Sequence, residues 1–381
     1  MKLYSVILAG GGGTRFWPLS REELPKQILN ISGNDIMINE TINRFKELIS
    51  YEATYIVTNQ RQKEMLTKVL HKSVPIGNIL VEPEMRNTAP CILLAAMKIY
   101  KEHGDGVMSV FPADHYISDN KKYIQTLGKA AALAETTDNL VTIGIEPTYP
   151  STGYGYIQYT KDKSHFIFSD KAETSSENKN INDLSKNMLY EDVYNVIKFV
   201  EKPDFEKARN YIESKDYFWN SGMFIWKIST IIDNFKRYLP RLYNWMLIYQ
   251  DAIGTNMEEE SLKKAYKMIQ NISIDYGIME RSNEVLVVAG DFGWNDIGSW
   301  DSLGALFPPD NKGNIVKADL IELDTQDSII YGQGKLIATI GLKNMIIVNT
   351  KDALLICPKN RAQEVKEIVN KLKKDGRNEL I

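Results

Sequence analysis

The stretch LAGGGGTRFWPLSREELPKQ, residues 8–27, sets four consecutive glycines, Gly10–Gly13, directly after an apolar run and then supplies two cations, Arg15 and Lys26. Glycine loses more backbone freedom on folding than any other residue, so four together are unfavourable in an ordinary element. Bare backbone does let an anion approach closely, with N–H groups free to point at phosphate oxygens, and a following helix N-terminus would add positive dipole. Arg15 can fork two phosphate oxygens, Lys26 is a compact point charge, and Pro25 stiffens the chain ahead of it. The spacing fits neither common phosphate fingerprint. GxGxxG would need a third glycine at Arg15 or Phe16, and GxxxxGK[ST] would need a lysine immediately after a glycine. The residues therefore predict a phosphate loop of a different type. A plain turn with Arg15 in solvent is the competing reading.

Such a loop needs a strand before it and a scaffold around it. Apolar, β-rich runs occur at 3–9, 54–58, 78–81, 107–111 and 140–145. Helical patterns lie between them. Ile38, Ile42, Phe45 and Ile49 repeat at helical spacing, and residues 88–100 are rich in Ala, Leu and Ile. Strands alternating with helices of this length predict βαβ units, hence an α/β fold with a mostly parallel sheet covered by helices on both faces. Residues 160–192 are rich in Lys, Ser, Asn, Asp and Glu and read as a polar surface insertion. A helix is expected over 259–270, with Leu262, Ala265, Tyr266 and Ile269 on one face. From about residue 311 short β-like runs are spaced by Gly and Asp turns, and a final helix carries Val365, Ile368, Val369 and Leu372 on one stripe. These changes predict a catalytic unit over 1–302 and a smaller β-rich unit over 311–381.

Composition narrows the class. The chain has 381 residues, 43% of them hydrophobic, enough for a large core and two domains. A net charge of −3 without a basic block argues against nucleic-acid or membrane-surface binding. No run is long enough to span a bilayer, and residues 1–9 read as a strand rather than a signal peptide. Cys91 and Cys357 are the only cysteines, so no disulfide framework is expected and the setting predicted is the reducing cytoplasm. Four scattered histidines without a CxxC argue against zinc.

The glycine stretch resembles the nucleotide-binding signature of the sugar-nucleotide pyrophosphorylases, and WPLSR…PKQ is similar in particular to the mannose-1-phosphate guanylyltransferases. Serine is usual in that family at the position of Gly12. The resemblance continues in family order through EPEMRNTAP (82–90), FPADH (111–115), PTYPSTGYGYI (147–157), FVEKPD (199–204), WNSGMFIW (219–226), SIDYGIME (273–280) and GWNDIGSW (293–300). It implies a Rossmann-like nucleotidyltransferase fold. It also implies that GTP and α-D-mannose 1-phosphate yield GDP-mannose and pyrophosphate. Family members often end in a left-handed β-helix, and the C-terminal runs fit a short one. Residues 311–381 leave neither room nor histidines for the isomerase domain some relatives carry.

A sugar phosphate is largely dianionic near neutrality and needs no general base to attack, so cations and positioning should do the work. The nucleotide site implied runs through Leu8, Gly10, Gly11, Gly12, Gly13, Thr14 and Arg15, with Glu82, Asn87 and Thr88 at the base and ribose. Thr88 could equally be a helix N-cap, and Arg86 could bind phosphate or pair with Glu82 or Glu84. Arg15, Lys26 and Asp114 are the expected catalytic residues. Asp114 follows the strand-like run VMSVF and is a natural ligand for Mg2+, which prefers one or two carboxylates plus phosphate oxygens. Asp296 is the second metal carboxylate by resemblance alone, and His115 is read as packing. Gly153, Gly155, Glu201, Lys202 and Asn220 form the implied sugar-phosphate site, although Glu201 and Lys202 could be a strand-edge ion pair. Trp219, Trp226, Trp294 and Trp300 are read as core. The expected assembly is a homodimer. The rival readings are a related pyrophosphorylase with another sugar or nucleotide, and a catalytically silent regulatory subunit that binds nucleotide sugar.

Overall fold

The structure, a computed structural model, describes residues 2–161 and 191–381; most of the polar insertion expected at 160–192 falls outside the described residues. In chain order, strands β1 (Leu3–Leu8), β2 (Thr54–Asn59), β3 (Ile79–Glu82), β4 (Val107–Pro112), β5 (Tyr116–Ile117), β6 (Leu140–Ile145), β7 (Tyr156–Thr160), β8 (Val193–Val200), β9 (Tyr217–Lys227), β10 (Val285–Gly290) and β11 (Trp294–Asn295) build the larger part. Nine of them form one sheet in the order β3-β2-β1-β4-β9-β6-β10-β8-β7, and β5 pairs with β11 beside it. β8 and β9 run against the other seven, so the sheet is mixed but mostly parallel.

Alternation along each strand divides the apolar residues between two faces. Tyr4, Val6, Tyr55, Val57, Met108 and Val110 face helices α3 (Thr88–His103), α6 (Ile228–Tyr238), α7 (Pro240–Ala252) and α8 (Glu258–Met268). Ile7, Ile56, Phe111, Val141 and Ile143 face α1 (Met37–Arg44), α2 (Gln60–Val69), α4 (Asn120–Thr137) and α5 (Phe205–Ser214). Helix α1 is shorter than its hydrophobic repeat suggests. Helical geometry stops at Arg44, yet Phe45 and Ile49 stay buried because the turn that follows folds back onto the same face.

The C-terminal part is β-helix-like. β12 (Ile315–Lys317), β14 (Ile329–Gly332) and β16 (Met345–Asn349) stack in parallel, as do β13 (Leu320–Leu323) and β15 (Ile337–Ile340), and β17 (Leu354–Pro358) closes the stack antiparallel to β16. The final helix α9 (Val365–Lys374) buries Val365, Val369 and Leu372. Ile368, expected on that stripe, lies at its solvent edge and is 39% exposed.

Helix α9 and the β-helix pack on the segment that follows the glycines. Phe16, Trp17 and Trp300 share one apolar cluster with Ile329, Ile346, Val365, Val369 and Leu372. Trp300 Nε1 donates to the Trp17 carbonyl at 3.0 Å, and Trp17 Nε1 donates to the Leu380 carbonyl at 2.7 Å. Ion pairs Arg21–Asp352 (2.9 Å) and Lys373–Glu22 (2.7 Å) rim the seam. The fully buried Trp300 ring lies 5.1 Å from Phe16 and 5.4 Å from Tyr331, so it joins the loop to the β-helix. Trp300→Ala should therefore cost about 3–5 kcal/mol. Trp300→Phe, which leaves the Trp17 carbonyl unpaired, should cost about 1–3 kcal/mol. Urea denaturation measures both, and a loss below about 1 kcal/mol for Trp300→Ala would contradict this packing.

Candidate active site

The carboxyl ends of β1 to β4 lie side by side, where open α/β sheets bind ligands. Leu8 ends β1 and the chain then leaves the sheet through the glycines. An added Cβ at Gly11 would meet no protein atom, and at Gly10 and Gly12 it would meet ordinary contacts of 4.0 and 3.8 Å. The fold therefore does not itself require glycine there, which leaves their bare amides available to a ligand. Gly13 is different. Its φ is 58°, and an added Cβ would collide with Cβ of Lys26. Glycine at this position lets the Lys26 backbone pass behind the loop.

Two cavities flank the loop, and Thr14 lines both. The larger, about 630 Å3, is bounded by Gly10, Gly12, Glu82, Arg21, Gln62 and Lys373. The smaller, about 320 Å3, is bounded by Gly13, Arg15, Lys26, Asp114, His115, Asp296, Gly298 and Lys366. In the smaller one Lys26 is only 4% exposed. Its Nζ donates to Asp114 Oδ2 at 2.9 Å, to the Asp114 carbonyl at 2.9 Å and to the Asp296 carbonyl at 2.7 Å. All three ammonium protons are thus committed within the protein. Burial pushes the Asp114 carboxyl upward, but the Lys26 charge and its hydrogen bond outweigh that and hold it below the usual carboxylate range. Arg15 has no carboxylate partner among the described residues, and its buried Nε is unpaired.

Asp296 Oδ1 accepts from the Tyr154 hydroxyl at 2.8 Å and from the Gly298 amide at 3.0 Å. Its second oxygen, and Oδ1 of Asp114, are not used by these bonds. His115 packs, as expected. Its Nδ1 accepts from Trp294 Nε1 at 3.1 Å, and burial lowers its pKa to about 4, so the ring is neutral.

A second cluster adjoins this one through Tyr154. The next residue, Gly155, is buried, and an added Cβ there would come within 2.7 Å of Glu201 Oε2 and 3.4 Å of Asn220 Cβ. Glu201 pairs with Lys202 at 2.7 Å, so the ion pair foreseen as an alternative does form. Asn220 Nδ2 donates to Asp275 Oδ1 at 2.8 Å. Burial, and then repulsion from Glu201, raise Asp275 to about 6. Gly153 is exposed and only its amide is tied, to Ser151 Oγ at 3.2 Å.

The residues expected at the base separate. Glu82 lines the larger cavity, whereas Asn87 and Thr88 line neither cavity. Asn87, at φ 69°, caps α3 by accepting from the Thr88 amide at 2.9 Å. The cap is therefore Asn87 and not Thr88, whose hydroxyl instead accepts from the Ile274 amide at 2.8 Å. Arg86 pairs with Glu84 at 2.5 Å and not with Glu82. Tyr154, Asp275 and Lys366 carry no role among the residues singled out by motif. The first two lie within motifs already noted, but nothing in local spacing marks the atoms they meet. Trp219, Trp226, Trp294 and Trp300 are all buried, as expected of core residues.

A glycine loop at the end of a β-strand, cations beside two carboxylates, and a mixed sheet with helices on both faces define a nucleotidyltransferase. Residues 4–312 match the nucleotidyl transferase family, and residues 313–372 match the MannoseP isomerase/GMP-like β-helix domain. The chain is 37% identical to the mannose-1-phosphate guanylyltransferase of Salmonella muenchen, over 99% of this chain and 75% of that protein. It is 36% identical to the enzyme of the same name from Escherichia coli, over 99% and 77%. A crystal structure described as mannose-1-phosphate geranyltransferase from Thermus thermophilus superposes with a TM-score of 0.82 at 31% identity, covering 98% of this chain and all of that one. The chain belongs to the mannose-1-phosphate guanylyltransferase family of nucleotidyl transferases, and is an enzyme. No helix among the described residues is long and apolar enough to cross a membrane.

Glu82 has a consequence for stability. It is 3% exposed, and burial raises its carboxyl from 4.5 to about 7, with hydrogen bonds from Cys91 and Tyr266 opposing only in part. The folded state therefore binds more protons than the unfolded state between pH 4.5 and 7, and stability falls as pH rises through that window. Glu82→Gln removes the effect. Its stability relative to wild type should increase by up to about 3 kcal/mol between pH 4.5 and pH 8. Urea titrations at the two pH values measure the change, and a pH-independent difference would refute it.

Proposed function

We propose that this protein transfers GMP from GTP to α-D-mannose 1-phosphate, giving GDP-mannose and pyrophosphate. The observation that carries the reading is the smaller cavity, where the unpaired Arg15, the Gly13 turn and two carboxylates face one space. A phosphate oxygen of the sugar phosphate attacks the α-phosphorus in line, and the bond from that phosphorus to the β-phosphate bridging oxygen breaks. Pyrophosphate leaves with the electron pair. The nucleophile is already an anion near neutral pH, so the protein's task is to hold like charges together.

The Gly10–Gly13 amides cradle the phosphates, and Arg15 forks the oxygens on which charge develops. Lys26 acts from behind the loop, through its charge and by fixing Asp114 and the turn at Asp296. The larger cavity takes the nucleoside, with Glu82 at its floor. Glu201, Asn220 and the half-buried Asp275 accept and donate bonds at the sugar hydroxyls, and Gly155 lets the sugar approach them.

The carboxylates of Asp114 and Asp296 suit a divalent cation. They face the same cavity, and each has an oxygen not engaged by the bonds described; His115, which also lines it, has its Nδ1 engaged by Trp294. A hard ion held by two carboxylates and completed by phosphate oxygens and water is the preference of Mg2+. Such an ion would neutralise phosphate charge during transfer.

Pyrophosphate release from GTP, followed with a panel of sugar 1-phosphates, tests the reading. Mannose and glucose differ only in the direction of the 2-hydroxyl, and a site built to bond a hydroxyl rejects the analogue that leaves its own polar groups unpaired. Mannose 1-phosphate should exceed glucose 1-phosphate at least about tenfold in kcat/KM, and EDTA should abolish turnover. Equal efficiency with both sugars would make this a broad sugar-phosphate nucleotidyltransferase. Full turnover in EDTA would remove the cation.

A further inference from the structure

We propose that Lys366, on the C-terminal helix α9, is a phosphate-binding residue of the active site, adding a further cation to the lining of the smaller cavity and contacting the pyrophosphate half of the nucleotide. This rests on the guanylyl-transfer reading above.

The β-helix and α9 lie outside the residues that match the nucleotidyl transferase family, yet Lys366 lines the same 320 Å3 cavity as Gly13, Arg15, Asp114 and Asp296. Its helix cannot drift from the loop. Val365 and Val369, flanking Lys366 on the buried side, share an apolar cluster with Phe16 and Trp17, the residues directly after Arg15. Lys373, two turns further along, pairs with Glu22 at 2.7 Å, and Trp17 Nε1 donates to the Leu380 carbonyl at 2.7 Å. Gln363 Nε2 donates to Ser299 Oγ at 2.7 Å, three residues beyond Asp296. The C-terminal helix is thereby tied both to the segment after Arg15 and to the turn after Asp296.

Charge gives the reason for a third cation. Lys26 is neutralised by Asp114 and has no proton to offer. Asp296 adds a second carboxylate to the same cavity. Of the cations facing the cavity, only Arg15 and Lys366 lack a close carboxylate partner among the described residues. Lys366 has just a 4.0 Å approach to Glu367, and its side chain is 51% exposed. A half-exposed ammonium on a four-carbon stem can follow a phosphate in and out, which suits a leaving group that must depart.

The test uses the full-length protein in the pyrophosphorolysis direction, with GDP-mannose fixed and pyrophosphate varied. Lys366→Ala should lower kcat/KM for pyrophosphate at least tenfold. Its Kd for GDP-mannose, measured by calorimetry without pyrophosphate, should change less than twofold. Lys366→Arg should recover most of the loss and Lys366→Gln should not. This charge-dependent split is something a purely structural role would not produce. Unchanged kcat/KM for pyrophosphate in an otherwise active series would overturn the assignment, as would an equal loss of GDP-mannose affinity. If the wild-type protein converts no GDP-mannose at all, the reading beneath this inference fails instead.

Discussion

A lysine with three protein acceptors and almost no solvent organises this site. Lys26, whose backbone lies against Gly13 of the glycine loop, donates two hydrogen bonds to Asp114 beyond the carboxyl end of β4 and one to the turn after β11, all from one nitrogen. An ammonium withdrawn from water is costly unless paired and bonded, so these three segments are held together by the penalty of separating them. The same residue dictates the loop's shape, because only glycine at position 13 lets the chain turn over the Lys26 backbone. The glycines and the second cation of the opening stretch are thus one device. Gly13 and Lys26 fix the chain behind Gly10–Gly12, where an added Cβ would meet only ordinary contacts or none.

The C-terminal unit follows from this arrangement. A loop of bare backbone has little apolar surface of its own, and the two aromatic residues after Arg15 supply it. Phe16 and Trp17 are covered by Trp300, the β-helix and α9, rather than by the nine-stranded sheet. The glycine loop is therefore held by a buried charge behind it and by a separate hydrophobic cluster beside it. That side support is also what brings Lys366 of α9 to the lining of the smaller cavity.

Much of this was legible in the sequence, for local reasons. Strands β1–β4 and β6 and helix α3 announce themselves by period and β-branched content, and the loop by four glycines set ahead of two cations. What was not legible depends on contacts between distant positions. Asp275 meets Asn220, Tyr154 meets Asp296, and Glu82 meets Tyr266, all across separations that no spacing rule spans. Lys366 looked like one more lysine on the polar face of an amphipathic helix, and only the docking of that helix gives it a different neighbourhood. The N-cap of α3 misled because threonine and asparagine both cap well, and Thr88 had a better partner in the Ile274 amide. Ile368 and the end of α1 show that a hydrophobic repeat reports burial, not where a helix stops.

The claim that Lys26 and Asp114 act as one unit is open to a double-mutant cycle in urea denaturation. Lys26→Met and Asp114→Asn, singly and together, remove one partner or both. A favourable coupling of about 1–3 kcal/mol between the two positions is expected, with the double variant less destabilised than the sum of the single ones. Additivity within about 0.3 kcal/mol would contradict it, and would mean that the loop is held without this pair.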